Sequence, residues 1–294
     1  MIETSPTRPP MPLDERSALP EEKPHLTIRP SKGWQALDLK QIWLYRDLLM
    51  TLASRDVKLR YRQTALGAFW VIFQPLMTAG IFSFVFGTVA NLPSDGLPYI
   101  LFSYAGVLAS NAFSSTLNKT SGVLVGNAGL ISKVYFPRLV LPLSTVLSTL
   151  IDFGVALLMM AVLMVMYHIT PSLSLLMLPV LLFLILLLAV GIGLWTSALM
   201  VSYRDVAFVL PVLIQMLLYA SPVAYSVAKV PAEYLNYYFL NPLAGLIEAF
   251  RWSILGRGEV HWGAVAYSAV FAVASFIFGA FRFKKMEKKF ADVI

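Results

Sequence analysis

Few residues in this 294-residue chain are able to do chemistry. Cysteine is absent, which excludes a thiolate nucleophile, Cys-ligated zinc and iron–sulfur clusters. The three histidines, His25, His168 and His261, lie in a Pro-rich N-terminal stretch, at the end of an apolar run and in a later loop. No metal centre is expected from such a scatter. HExxH and GxSxG motifs are missing. The nearest approach to a phosphate loop, GNAGLISK over 126–133, has the wrong spacing for its lysine to close over a β-phosphate. The chain alone is therefore not expected to hydrolyse ATP, and no cofactor is expected on it. Asp152 is the one clear ionisable residue inside a long apolar run. It is a candidate for ion-coupled transport, but a plainer role is favoured, as partner of a cation or helix-end amide across a helix interface.

Three constellations carry more information. Arg55, Lys58, Arg60 and Arg62 share a stretch with Leu44, Leu48, Leu49 and Leu52 at helical spacing. That combination is too charged to cross a bilayer but suits its interface, where the cations meet either an anionic substrate group or anionic lipid. Asn127–Arg138 (NAGLISKVYFPR) mixes Leu130, Ile131, Val134, Tyr135 and Phe136 with Lys133 and Arg138, a pattern that calls for a partner or a membrane surface. Finally, Tyr219, Tyr225, Tyr234, Tyr237, Tyr238, Phe239, Phe250 and Trp252 crowd into 219–252. Aromatic faces with hydroxyls suit sugar rings, although interfacial anchoring accounts for at least half of them.

The elements that position these groups are membrane helices. Hydrophobic residues make up 58% of the chain and charged ones 13%, with a mean hydropathy of +0.71, against roughly 25% charged in soluble domains. Six stretches approach the ~20 apolar residues a crossing needs: 66–90, 99–118, 139–167, 174–201, 206–227 and 263–281. The second carries Ser and Asn and must face other helices along part of its length. Alternating sides from the first span puts twenty of the 23 Lys and Arg on one side, leaving Lys229, Arg251 and Arg257 on the other. Both termini are therefore expected in the cytoplasm. The net charge of +7 thus reflects topology, and no nucleic-acid partner is expected.

Between the fifth and sixth spans, Asn241-Pro242 interrupts an apolar outer segment and predicts two short helices. The second, 243–255, is too short to cross. A re-entrant hairpin and a pair of helices on the outer surface are equally compatible with this pattern. Residues 1–36 read as a disordered Pro-rich cytoplasmic tail, 37–289 as the membrane domain and 290–294 as a C-terminal tail.

RDLLMTLASRDVKLRYRQTALGAFWVIFQPL (46–76), LISKVYFPRLVLPLSTVLSTLIDF (130–153), SALMVSYRDVAFVLPVLIQ (197–215), ASPVAYS (220–226) and NPLAGLIEAFRWSILG (241–256) resemble blocks of the permease subunits of bacterial ABC exporters for cell-surface polysaccharide. These are the O-antigen, capsule and teichoic-acid type. The resemblance implies an all-α fold with six transmembrane helices, an interfacial helix before them and an outer re-entrant hairpin. It implies a homodimer of permeases with two ATPase subunits that bind ATP and Mg, moving a polyprenyl-diphosphate-linked polysaccharide across the inner membrane, O-antigen favoured. On this reading Arg55, Lys58, Arg60 and Arg62 belong to a gate helix where the diphosphate enters. Asn127, Leu130, Ile131, Lys133, Tyr135, Phe136 and Arg138 form a helix that docks on the ATPase. Tyr237, Tyr238, Asn241, Pro242, Glu248, Phe250, Arg251 and Trp252 form the outer gate, and Tyr203, Arg204 and Asp205 match an inner-loop motif, structural or ATPase-facing. An ion-driven carrier and an intramembrane lipid- or glycan-modifying enzyme are the alternatives.

Overall fold

The structure, a computed structural model, describes residues 43–62 and 69–293, without the side chains of 60–62 and 288–293. The expectations for the 1–36 tail and for the Arg60 and Arg62 side chains fall outside the described residues. Every described residue that adopts regular structure is helical. The helices are α1 (Arg46–Arg62), α2 (Phe69–Phe82, continued by a π-helical stretch Ser83–Val89), α3 (Tyr99–Gly126), α4 (Ala128–Ile131), α5 (Val140–Met166), α6 (Leu178–Ser202, led in by a 3-10 turn Leu173–Met177), α7 (Val206–Tyr219), α8 (Ala232–Tyr238), α9 (Pro242–Leu255) and α10 (Trp262–Val293).

Among the described residues, five stretches are long and apolar enough to cross a membrane: Phe69–Val89, Tyr99–Gly126, Val140–Met166, Leu173–Ser202 and Trp262–Glu287. The expected fifth span, 206–227, is helical only over the 14 residues of α7, about 21 Å at 1.5 Å per residue and short of a ~30 Å core. On helix length the described residues thus give five spans, where the sequence predicts six.

The second span is longer than expected. α3 runs on to Gly126, which carries Lys119 into the helix and out of the loop to which the sequence assigns it. α3 is the most enclosed of the long helices and packs against α2, α5, α6 and α9. Polar groups join it to its neighbours as membrane helix interfaces require. Ser103 Oγ donates to Ala79 O at 3.1 Å, Tyr104 Oη to Ala156 O at 3.0 Å, and the Thr120 and Thr145 hydroxyls meet at 3.1 Å.

Apolar packing divides into two clusters. One is built around Tyr104, Phe113, Met160, Ile185, Ile247 and Phe250. The other lies where α1 meets the bundle, around Leu52, Leu124, Phe136, Val140, Leu194 and Phe283.

Candidate functional site

Between Leu101 and Ser121, α3 is buried except along one strip, and that strip is polar. Asn111 and Asn118 are exposed, with Ser114 and Ser115 half-buried between them. Spacings of three and four residues put them on one helix face. Hydrocarbon leaves amide and hydroxyl groups unsatisfied, so this face must look onto water or protein. Beside it opens a cleft of about 310 Å³ between α2, α3 and α5, lined among others by Trp70, Gln74, Asn111, Ser115, Thr149 and Asp152. Pro75, one residue beyond Gln74, interrupts the α2 hydrogen-bond ladder at this wall.

Asp152 has the partner the plainer reading requires. Lys119 Nζ on α3 reaches its Oδ2 at 2.9 Å and also contacts Ser148 Oγ at 3.2 Å and Thr149 Oγ1 at 3.1 Å. Mutual neutralisation with hydroxyl support is what allows both charges to lie along membrane helices.

At the α1 end, the 127–138 segment separates into two roles. Arg55 Nη2 donates to Asn127 Oδ1 at 2.7 Å, and Asn127 Nδ2 donates to Val123 O at 2.9 Å, fastening α1 to the end of α3. Phe136 is buried, Leu130 and Ile131 pack against the same cluster, and Arg138 Nη1 donates to Glu287 O at 2.6 Å. Lys133, Val134 and Tyr135 are left exposed. Arg55 and Lys58 are exposed on α1, whose Leu52 and Ala53 are buried. Tyr203, Arg204 and Asp205, between α6 and α7, are exposed as well.

At the other end, the 231–256 segment forms two helices, as Asn241-Pro242 predicts. Asn241 Oδ1 caps α9 by accepting from Leu243 N at 3.0 Å, with Pro242 at the first helical position. Gly256 closes α9 at φ 65°, a conformation disfavoured with a side chain, and a Cβ there would also meet Ser172 at 2.8 Å.

α9 is largely buried, against α3, α6 and α10, whereas α8 buries no residue. The predicted gate residues therefore separate. Phe250 is core, edge-on to Phe153 at 6.0 Å, and Trp252 packs on Trp262. Tyr238 Oη donates to Tyr225 Oη at 3.2 Å, while Tyr237 is exposed. Burial raises the Glu248 carboxyl above its ordinary range, and His261 Nδ1 at 3.1 Å pulls the other way.

Arg251 has a role the sequence does not reveal. It is buried, lies with its guanidinium carbon 3.7 Å from the Phe102 ring centre, and donates through Nη2 to Pro222 O and, at 3.2 Å, to Val223 O. Asn241 Nδ2 reaches Ala220 O at 3.2 Å, and Tyr99 Oη donates to Ala224 O. The chain after α7 is thus non-helical backbone, buried over 221–224, whose carbonyls are satisfied by side chains from α3, α9 and the α9 cap. This explains how an apolar run predicting one helix holds a shorter one. Pro222 cannot donate to the ladder, and Arg251, Asn241 and Tyr99 accommodate the break.

Among the described residues, no three His, Asp or Glu side chains form a group able to hold a metal ion. The family model described as ABC-2 type transporter matches residues 47–255. The chain is 26% identical over 249 residues to an O-antigen export system permease protein RfbA of Klebsiella pneumoniae, covering 84% of this chain and 95% of that protein. It is 26% identical over 215 residues to a protein of the same name in Myxococcus xanthus, covering 72% and 82% of the two chains. To a polysialic acid transport protein KpsM of Escherichia coli it is 26% identical over 243 residues, covering 81% and 92%.

Proposed function

The chain belongs to the ABC-2 type transporter family, and from that membership we propose that it is the permease subunit of an ATP-driven exporter of lipid-linked cell-surface polysaccharide, O-antigen favoured. Two copies enclose the path in the bacterial inner membrane, and two separate ATPase subunits bind ATP and Mg and supply the driving energy. The relatives named for O-antigen export and polysialic acid transport support the substrate class.

The observation that carries the reading is the polar strip Asn111–Ser115–Asn118, the open face of α3 between Leu101 and Ser121. A wall of amides and hydroxyls fits a hydrated glycan. An ion-driven carrier loses its main support because Asp152 is paired with Lys119. The natural absence of cysteine makes the strip directly testable. S115C and N118C are expected to react with a membrane-impermeant thiol reagent about ten-fold or more faster than L158C, because the thiolate forms only in contact with water; Leu158 is exposed on α5 and apolar, as a lipid-facing residue is. Equal rates would overturn the assignment.

The α1 end is read as cytoplasmic from the Lys and Arg distribution. There α1 is the gate helix, its Arg55 and Lys58 offered to the diphosphate, and 127–138 docks on the ATPase. Within that segment Lys133, Val134 and Tyr135 are the docking surface, whereas Asn127, Phe136 and Arg138 hold the segment to its own chain. The double variant Lys133→Glu, Tyr135→Ala is expected to weaken ATPase capture about ten-fold or more and abolish export, with permease levels unchanged. Normal export by that variant would overturn the docking role.

At the opposite end, α8 and α9 form the re-entrant outer gate. The sixth crossing consists of α7 plus the satisfied non-helical segment 220–226, backbone that membranes tolerate only when protein covers it.

A further inference from the structure

We propose that the cleft between α2, α3 and α5 is a saccharide subsite that takes an uncharged sugar unit of the transported polymer. The proposal rests on the export reading and adds to it a place and a charge. Gln74 on α2 and Asn111 on α3 are both exposed at the cleft, and neither carboxamide has a hydrogen-bond partner among the described residues. Unpartnered amides on membrane helices represent binding capacity held open, since each presents two donors and an acceptor matched to neighbouring hydroxyls on a sugar.

Trp70, half exposed on the same wall, supplies an aromatic face for the C–H side of a pyranose. Ser115 and Thr149 add hydroxyls, and Asp152 accepts. At about 310 Å³ the cleft is at the lower end of the ~300–1,000 Å³ range of small-molecule sites. That suits a short piece of a polymer and not a long stretch.

The charge of the lining selects the sugar. The cleft's one ionisable lining residue among those described is a carboxylate, and the nearby Lys119 is turned onto that carboxylate at 2.9 Å. An anionic sugar would find no cation lining this cleft among the described residues, since Lys119 is engaged by Asp152, and would give up its hydration without gaining an ion pair in return. A neutral hexose or deoxyhexose unit meets donors, acceptors and an aromatic face. An acyl chain would desolvate both amides without replacing their hydrogen bonds.

The test uses S115C in the full permease–ATPase complex, in nanodiscs, reading modification by an impermeant thiol reagent. A neutral malto-oligosaccharide of about seven units is expected to slow the reaction several-fold, and an oligosialic acid of equal length is expected not to. Each carboxamide supplies about one hydrogen bond, so Q74L and N111L combined on S115C should weaken the protection about ten-fold or more, while N111Q, which keeps the amide, should retain most of it. If S115C does not react at all, the aqueous path and the subsite both fall. If it reacts and neither sugar protects, or oligosialic acid protects as well, or the leucine pair leaves protection intact in a complex of unchanged melting temperature, the subsite falls while the path stands.

Discussion

Gly279→Ala is expected to destabilise the inserted permease by about 3 kcal/mol or more, the upper end of over-packing costs, and to lower its yield sharply. α6 and α10 cross backbone to backbone. A Cβ on Gly279 would lie 2.0 Å from Gly191 O, and one on Gly191 would lie 2.5 Å from Phe276 N. Neither obstacle is a side chain that could rotate away, so one methyl group must push two long helices apart along their shared length. In a membrane, helix association depends on close van der Waals approach between small residues. The effect should therefore exceed what the same change causes in a loosely packed place. Gly80 and Gly154 supply the controls, because a Cβ at either meets nothing within 4 Å. Alanine there should be neutral or stabilising by up to about 1 kcal/mol through helix propensity. Melting of the detergent-solubilised full chain, followed by the fraction surviving heating on gel filtration, reads the difference. Equal melting temperatures for G279A and G154A would refute the crossing.

Much of this architecture is legible from the apolar runs, and its departures have specific causes. Hydropathy finds the stretch 206–227 but cannot tell helix from buried irregular backbone. α7 ends at Tyr219 because carbonyls beyond it are claimed by Asn241, Arg251 and Tyr99, residues far away in sequence. Lys119 reads as a loop residue when taken alone. Asp152, 33 positions later, neutralises it and lets α3 continue.

The Ser and Asn content of α3 correctly predicts contact with other helices, yet four of its seven Ser and Asn residues point the other way. Ser103, Thr120 and Ser121 face inward, while Asn111, Ser115 and Asn118 stay open. Both sets fit a helical period, so only the neighbours decide which is buried. In 127–138, Tyr135 and Phe136 are adjacent and both aromatic, but one is exposed and the other buried beside Leu52 and Phe283. Composition identifies the segment as a contact region. The tertiary packing divides it into a part that holds the segment to its own chain and a part left exposed.

Arg251→Met is expected to cost about 3–5 kcal/mol, the range for removing one partner from a buried charged network, and to open the 220–226 segment. Counting charges by side treats Arg251 as an ordinary external cation, but its guanidinium is buried. Burial lowers its pKa to about 10, which keeps it protonated at neutral pH. Its donors satisfy the Pro222 and Val223 carbonyls, which no helix can satisfy because α7 has already ended. Gly106 allows that approach: a Cβ there would strike Val223 O at 2.4 Å. Methionine keeps an unbranched apolar stem but removes the guanidinium that lies on Phe102 and leaves two buried carbonyls unpaired. Lysine keeps a charge but lacks the planar guanidinium that lies on the Phe102 ring while its Nη2 donates to both carbonyls, so Arg251→Lys should recover only part of the loss. A cysteine at Val223, 1% exposed in the parent, should become reactive in the R251M background. Capture of the ATPase should change little, because Val223 and Phe250 belong to one apolar cluster and Leu52 and Phe136 to the other. Unchanged melting and unchanged V223C reactivity would show that the segment holds its shape without Arg251. Equal loss at both ends would show that the two clusters unfold as one, and either result would remove Arg251 as the local support of the 220–226 segment.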